Sequence, residues 1–222
     1  MRKSMCITYV VDGKLYLNIT NKCSNRCDFC IRNNGDGAYG SDSLWLEREP
    51  TREEIISSLL SQDLSSFPEL VFCGYGEPTY RLEDAVWVAK EVKARFPKIK
   101  IRINTNGQSD LIKKRNTAPD YEGVFDTVSI SLNTPKAEKY DEICHSVFGT
   151  EAYASMLNFA KNVKNYVQNV QFSVVKETLT SEELELCRAI SSDVGVTLLV
   201  RDYIPQQPSD SCDEQSQTYR YT

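Results

Sequence analysis

Two hydrophobic periods take turns along this chain. Some stretches alternate apolar and polar residues, as strands do, and others repeat apolar residues every three or four positions, as amphipathic helices do. Residues 14–20 (KLYLNIT) and 98–104 (KIKIRIN) alternate, and 69–73 (ELVFC) is a short apolar run. Residues 127–132 (TVSISL), 170–175 and 196–203 complete a set of six predicted strands. Thr51 and Glu54 have capping-box spacing ahead of an apolar face of Ile55, Ile56, Leu59 and Leu60, which predicts a helix there. Residues 82–96 carry Ala85, Val86, Ala89, Val92 and Phe96 on one stripe. Further helices are predicted over 108–116, 135–144, 151–167 and 181–192, the last opened by Ser181 with Glu182 and Glu183 behind it.

Regular strand–helix alternation implies parallel strands joined by right-handed crossovers. An open doubly wound sheet and a partial barrel both satisfy it. In either, ligands gather at the C-terminal ends of the strands. The polar segments 21–50, 74–77, 104–107 and 131–133 all follow predicted strand ends, so they are expected on one face. After Pro205 the composition turns to Gln, Ser, Asp and Tyr. The expected organisation is one domain over 1–205 and a polar tail over 206–222.

With 41% hydrophobic and 26% charged residues of mixed sign, the bulk of the chain has what a packed core needs. A net charge of −5 suits poorly the neutralisation of phosphates over a broad surface, so a nucleic-acid partner is not expected. The longest apolar runs, such as Val194 to Val200, are far short of the ~20 residues that cross a bilayer. The first residues, Met1-Arg2-Lys3-Ser4, do not resemble a secretory signal, and the expected location is cytoplasmic.

The eight cysteines change the picture most. Three of them, Cys23, Cys27 and Cys30, are spaced C-x3-C-x2-C. Thiolates suit iron–sulfur clusters and zinc. Three thiolates on a four-iron cube leave one iron open to another ligand, whereas structural zinc wants a fourth protein donor. The sole histidine, His145, stands far along the chain beside Cys144. Cys73 and Cys187 read as small buried hydrophobes, and Cys144-His145 as a pair with reactive potential.

With Phe29 before the third cysteine, the loop resembles the C-x3-C-x-aromatic-C signature of the radical S-adenosylmethionine enzymes. The resemblance extends from about residue 15 to 204 and turns the fold expectation into an α/β partial (βα)6 TIM-like barrel with mainly parallel strands. It implies that Cys23, Cys27 and Cys30 hold a 4Fe–4S cluster whose open iron is chelated by S-adenosylmethionine, with Phe29 near the adenine. Gly74-Tyr75-Gly76-Glu77-Pro78 resembles the family's Gly-Gly-Glu-Pro, with Tyr75 in place of one glycine. Glycine there lets backbone approach a ligand, and the carboxylate can hold the methionine ammonium. By position, Thr105 and Asn106, then Ser131 and Asn133, resemble the family's ribose and carboxylate contacts; turns and helix caps would account for the same residues. Backbone over 201–204 is expected near the adenine by the same analogy. The loop that follows the third cysteine (Ile31-Arg32-Asn33 onward, to Leu46) is most like that of the TatD-associated radical proteins, with Arg32, Asp36, Asp42 and Trp45 as candidate pocket residues.

The implied reaction is reductive cleavage of S-adenosylmethionine to a 5′-deoxyadenosyl radical that abstracts hydrogen from a substrate the sequence does not name. It needs an external electron donor, flavodoxin- or ferredoxin-like. An activase acting on a partner protein is a second enzyme reading. A non-catalytic iron–sulfur carrier or sensor is a third; it accounts for the cysteines but leaves Gly76-Glu77-Pro78 without a role.

Overall fold

The computed structural model describes residues 2–203; Ile204 and the expected tail over 206–222 lie outside them. Seven strands form one sheet in chain order: β1 (Thr8–Val11), β2 (Lys14–Leu17), β3 (Glu69–Phe72), β4 (Lys100–Thr105), β5 (Thr127–Ser131), β6 (Asn169–Val175) and β7 (Thr197–Arg201). From β2 onward every neighbouring pair is parallel. Six helices accompany them: α1 (Arg52–Leu60), α2 (Leu82–Arg95), α3 (Ser109–Lys113), α4 (Ala137–Cys144), α5 (Glu151–Val163) and α6 (Ser181–Val194).

Strand parity shows where the core sits. Leu15 and Leu17, Leu70 and Phe72, Ile101 and Ile103, Val128 and Ile130, and Phe172 and Val174 all join one hydrophobic cluster. Ile55 and Leu59 of α1, Val88 and Val92 of α2, Tyr140 of α4, Phe159 of α5 and Cys187 of α6 join the same cluster. The alternate residues face the other way and are largely polar: Tyr16, Asn104, Ser129, Ser131 and Ser173 line a cavity. A doubly wound sheet carries helices on both faces and reverses its strand order at a switch point. Here the order never reverses and one face takes the helices. The architecture is therefore the partial barrel, with helices outside and a polar concave face.

One strand was not expected. β1 pairs antiparallel with β2, Val11 opposite Lys14, through a hairpin at Asp12 and Gly13. Both turn residues have positive φ, 48° and 70°, as a two-residue primed turn requires. The last helix starts at Ser181 as expected, but its cap is Thr180, which forms a capping box with Glu183. The box predicted at Thr51 and Glu54 is present. Among the described residues no helix is long and apolar enough to cross a membrane.

Candidate cofactor and substrate site

The C-terminal strand ends and the loops after them enclose a cavity of about 260 Å³. Cys23, Cys27, Phe29 and Cys30 line it, together with Gly74, Tyr75, Gly76, Glu77, Thr105, Asn106, Ser131 and Asn133. Segments up to about a hundred residues apart in sequence thus meet at one place, because parallel strands deliver all their following loops to the same end.

The cysteine loop is braced from outside the cavity. Its backbone N–H groups at Arg26 and Asp28 donate to the carbonyls of Cys144 and Ile143 (2.9 and 3.0 Å), which belong to the unpaired C-terminal turn of α4. Val147 N donates back to Ser24 O (2.8 Å), and His145 Nε2 lies 2.8 Å from Asp28 Oδ1. His145, in the left-handed region at φ 45°, ends α4 and serves as this brace. Burial pushes the Cys23 thiol up to about 12 and raises Cys30. Cys27 is raised by a hydrogen bond with the buried Cys144 thiol and by burial. Desolvated thiols gain by binding an electropositive centre, which deprotonates them on coordination. The described residues group no three His, Cys, Asp or Glu side chains closely enough for a single metal ion.

The two glycines line the cavity and also lie close against protein. A Cβ on Gly74 would stand 2.1 Å from Asn18 Oδ1, and one on Gly76 would stand 2.2 Å from Thr20 O and 2.8 Å from Lys22 O. Their lack of a side chain lets the segment after β3 lie against the stretch between β2 and the cysteines. Tyr75 packs its side chain into a second small cluster with Tyr9, Val11, Ala38 and Leu44. Its hydroxyl lies 2.9 Å from the carbonyls of both Gly35 and Gly37, and its ring meets Trp45 edge-on at 5.2 Å. The substitution of Tyr for glycine is thus a loop anchor.

Glu77 is buried, and four donors converge on it. Oε1 accepts from Thr79 N (3.1 Å), Thr79 Oγ1 (2.7 Å) and Thr105 Oγ1 (2.8 Å), and Oε2 from Asn106 N (2.7 Å). Burial raises its carboxyl against the pull of these donors. Oε2 carries one bond and keeps a free lone pair. Asn106 is committed at both ends of its side chain: Nδ2 donates to Ser24 Oγ (2.8 Å) and Oδ1 accepts from Gln108 N (3.0 Å). Asn133 sits beyond the end of β5 at φ 63°, so it does not share a face with Ser131 by strand alternation, yet both line the cavity. Asn133 Nδ2 donates to Cys144 Sγ at 3.4 Å.

The long loop reaches the cavity through other residues than expected. Ile31, Ala38, Tyr39 and Leu44 line it. Arg32 instead spans backbone, donating to Asn25 O (2.7 Å) and Tyr75 O (3.4 Å), and Asp36 accepts from Arg2 N (2.6 Å). A buried network was also missed: Gln108 Nε2 donates to Asn25 Oδ1 (2.9 Å) and to Tyr140 Oη (3.0 Å), and Asn25 Nδ2 donates to Tyr140 Oη (3.1 Å). Cys73, read as a buried hydrophobe, lines the cavity too.

Residues 17–190 match the model of the radical SAM superfamily, well over half of the chain. The chain belongs to the radical SAM superfamily. Radical SAM proteins bind a 4Fe–4S cluster and S-adenosylmethionine, and the three thiols beside a buried carboxylate fit that pair. This chain is 30% identical over 156 residues to the GTP 3′,8-cyclase of Lactiplantibacillus plantarum, covering 68% of this chain and 44% of that protein. It is 28% identical over 204 residues to the tungsten-containing aldehyde ferredoxin oxidoreductase cofactor-modifying protein of Pyrococcus furiosus, covering 87% and 52%. It thus spans about half the length of these curated relatives. Among solved structures, radical SAM folds superpose on it. Streptococcus suis SuiB bound to its precursor peptide SuiA gives a TM-score of 0.64 at 18% identity, covering 85% of this chain and 39% of that one. HydG, a maturase of the [FeFe]-hydrogenase, gives 0.61 at 15%, covering 86% and 43%.

Proposed function

We propose that this protein is a radical SAM enzyme in which Cys23, Cys27 and Cys30 hold the 4Fe–4S cluster and the surrounding cavity takes S-adenosylmethionine and a substrate. The observation that carries the reading is the shared cavity: three thiols face the same space as Glu77, Ser131 and Asn133. A carrier or sensor needs no such enclosed polar site beside its cluster. When bound, the cluster supplies one electron for reductive cleavage of S-adenosylmethionine, which starts hydrogen abstraction from the substrate.

The chain's own groups then divide the work. Glu77 is preset by four donors, and its remaining lone pair on Oε2 holds the methionine ammonium. Thr105 and Asn106 orient that carboxylate and brace the cysteine loop; they act as positioning residues. Ser131 offers its hydroxyl, and Asn133 its amide, to the ribose or methionine carboxylate. Gly74, Tyr75 and Gly76 contribute backbone, and Phe29 contributes an apolar face to the adenine. Reduced thiols suit a cytoplasmic setting, and the electron comes from a flavodoxin- or ferredoxin-like donor.

The test is spectroscopic. The protein is loaded anaerobically with iron and sulfide, reduced, and its electron paramagnetic resonance spectrum recorded with and without S-adenosylmethionine. A changed cluster signal on addition supports an open iron in the shared cavity. An unchanged signal from an intact four-iron cluster would favour the carrier reading.

A further inference from the structure

The cavity is also lined by residues that have no part in the cofactor reading. Tyr9, Tyr16, Tyr39, Cys73, Asn104, Ser173 and Arg201 line it. Tyr9 and Tyr16 set their rings 5.3 Å apart on the β1–β2 hairpin. Tyr39 comes from the long loop and holds φ 56°, a left-handed backbone that a bulky residue adopts only at a cost. Tyr16, Tyr39, Cys73 and Arg201 all line this cavity, and the Tyr39 phenol is raised by burial and by Tyr16 and Cys73 against the pull of Arg201. Arg201 at the end of β7 and Cys73 just after β3 line the same cavity. Among the described residues Arg201 makes no ion pair, and it is exposed. Asn104 Oδ1 is buried without a hydrogen-bond partner.

We infer that Tyr16, Tyr39 and Arg201 form a substrate subsite in this cavity for a molecule with a flat unsaturated ring bearing an anionic group, a carboxylate or a phosphate. The inference deepens the radical SAM reading and rests on it. The Tyr16 and Tyr39 rings offer the faces that a ring packs against, with the buried Tyr9 ring set against Tyr16. Arg201, which makes no ion pair among the described residues, is the cation that a carboxylate or phosphate meets in a forked pair, with the Tyr39 hydroxyl as a second donor. Tyr16 keeps its proton for the ligand, since its oxygen is the acceptor in the contact from Arg102 Nη2 at 3.4 Å. The strained backbone at Tyr39 is the cost of holding a ring over the opening.

The test uses ring probes that differ in charge. Binding of 4-hydroxybenzoate, phenyl phosphate, 4-hydroxybenzyl alcohol and 4-hydroxybenzylamine to the full chain is measured by ligand-detected nuclear magnetic resonance, with and without a reconstituted cluster. Charge-assisted bonds predict that the anions bind about ten-fold or more tighter than the alcohol, and the amine weakest. Arg201→Gln should erase that preference, while Tyr39→Ala should weaken every probe through the lost ring face, and the anions most because they also lose a donor. The tighter of the two anions identifies carboxylate or phosphate. Equal binding of all four probes, no binding, or a preference that survives Arg201→Gln would overturn the inference. Probe binding does not need the cluster. Lost selectivity with an intact cluster therefore refutes the subsite alone, and a chain that keeps selectivity but forms no cluster refutes the radical SAM reading alone.

Discussion

Gly76→Ala tests how the cysteine loop is held in place. A Cβ there would stand 2.2 Å from Thr20 O and 2.8 Å from Lys22 O. Such a carbon–oxygen contact ordinarily settles at about 3.3 Å or more, so backbone must move by roughly 1 Å. Both obstacles are backbone carbonyls, which cannot rotate aside as a side chain can. Lys22 O also accepts from Glu77 N at 2.8 Å, and that bond stretches with the same movement. Overpacking costs about 1–3 kcal/mol and a lost backbone hydrogen bond about 0.5–1.5, which together give about 1.5–4.5 kcal/mol. At a slope of roughly 2 kcal/mol/M the urea midpoint should fall by about 1–2 M. The natural control is Gly13→Ala, where φ is +70° but no atom lies within 4 Å of the added carbon. That change should cost only the left-handed strain, about 1 kcal/mol. Urea unfolding of the cluster-free chain reads both, and cluster absorbance after reconstitution reads whether Cys23, next to Lys22, has shifted. A Gly76→Ala variant no less stable than Gly13→Ala would refute the close approach.

Three further outcomes follow from the geometry. Glu77→Gln keeps the shape but leaves one of the facing N–H or O–H donors without an acceptor; a loss of about 1–3 kcal/mol is expected in urea unfolding, and equal or greater stability would show that burying the charge outweighs its four donors. Tyr75→Phe removes the hydroxyl shared by Gly35 and Gly37, so amide exchange over 35–42 should quicken, with about 1–2 kcal/mol lost; unchanged exchange would deny the anchor. Glu54 is held down to about 2 by Arg48 and the Thr51 N–H, so its support is fully present above about 4.5 and fades as pH falls towards 2. Glu54→Gln should flatten the urea-midpoint profile of the cluster-free chain over that acid window, and an unaltered slope would contradict the assignment.

The fold and the site were legible in the sequence to different degrees. Parallel strands and amphipathic helices showed because each repeats its own period over several residues. β1 escaped because only four residues form it, with no helix after it, although Asp12-Gly13 between Val11 and Lys14 is a hairpin signal. The choice between barrel and doubly wound sheet depends on strand order and on which face takes the helices, and both are long-range properties. In the site, the cysteines stood out through their spacing. Asn25, Gln108 and Tyr140 did not, since three lone polar residues up to 115 positions apart make no local pattern. Gly74 and Gly76 were expected to make room for a ligand. That Asn18 and Thr20 also press against them was not legible, because a glycine's neighbour across the sheet has no signature beside it in sequence.

The measurement that bears most directly on the central claim is production of 5′-deoxyadenosine. The reconstituted, reduced protein is incubated anaerobically with S-adenosylmethionine, and a Cys27→Ala variant runs beside it. The account predicts a four-iron cluster and 5′-deoxyadenosine in the parent and neither in the variant. Zinc bound in place of a cluster, or an intact cluster that yields no 5′-deoxyadenosine, would contradict it.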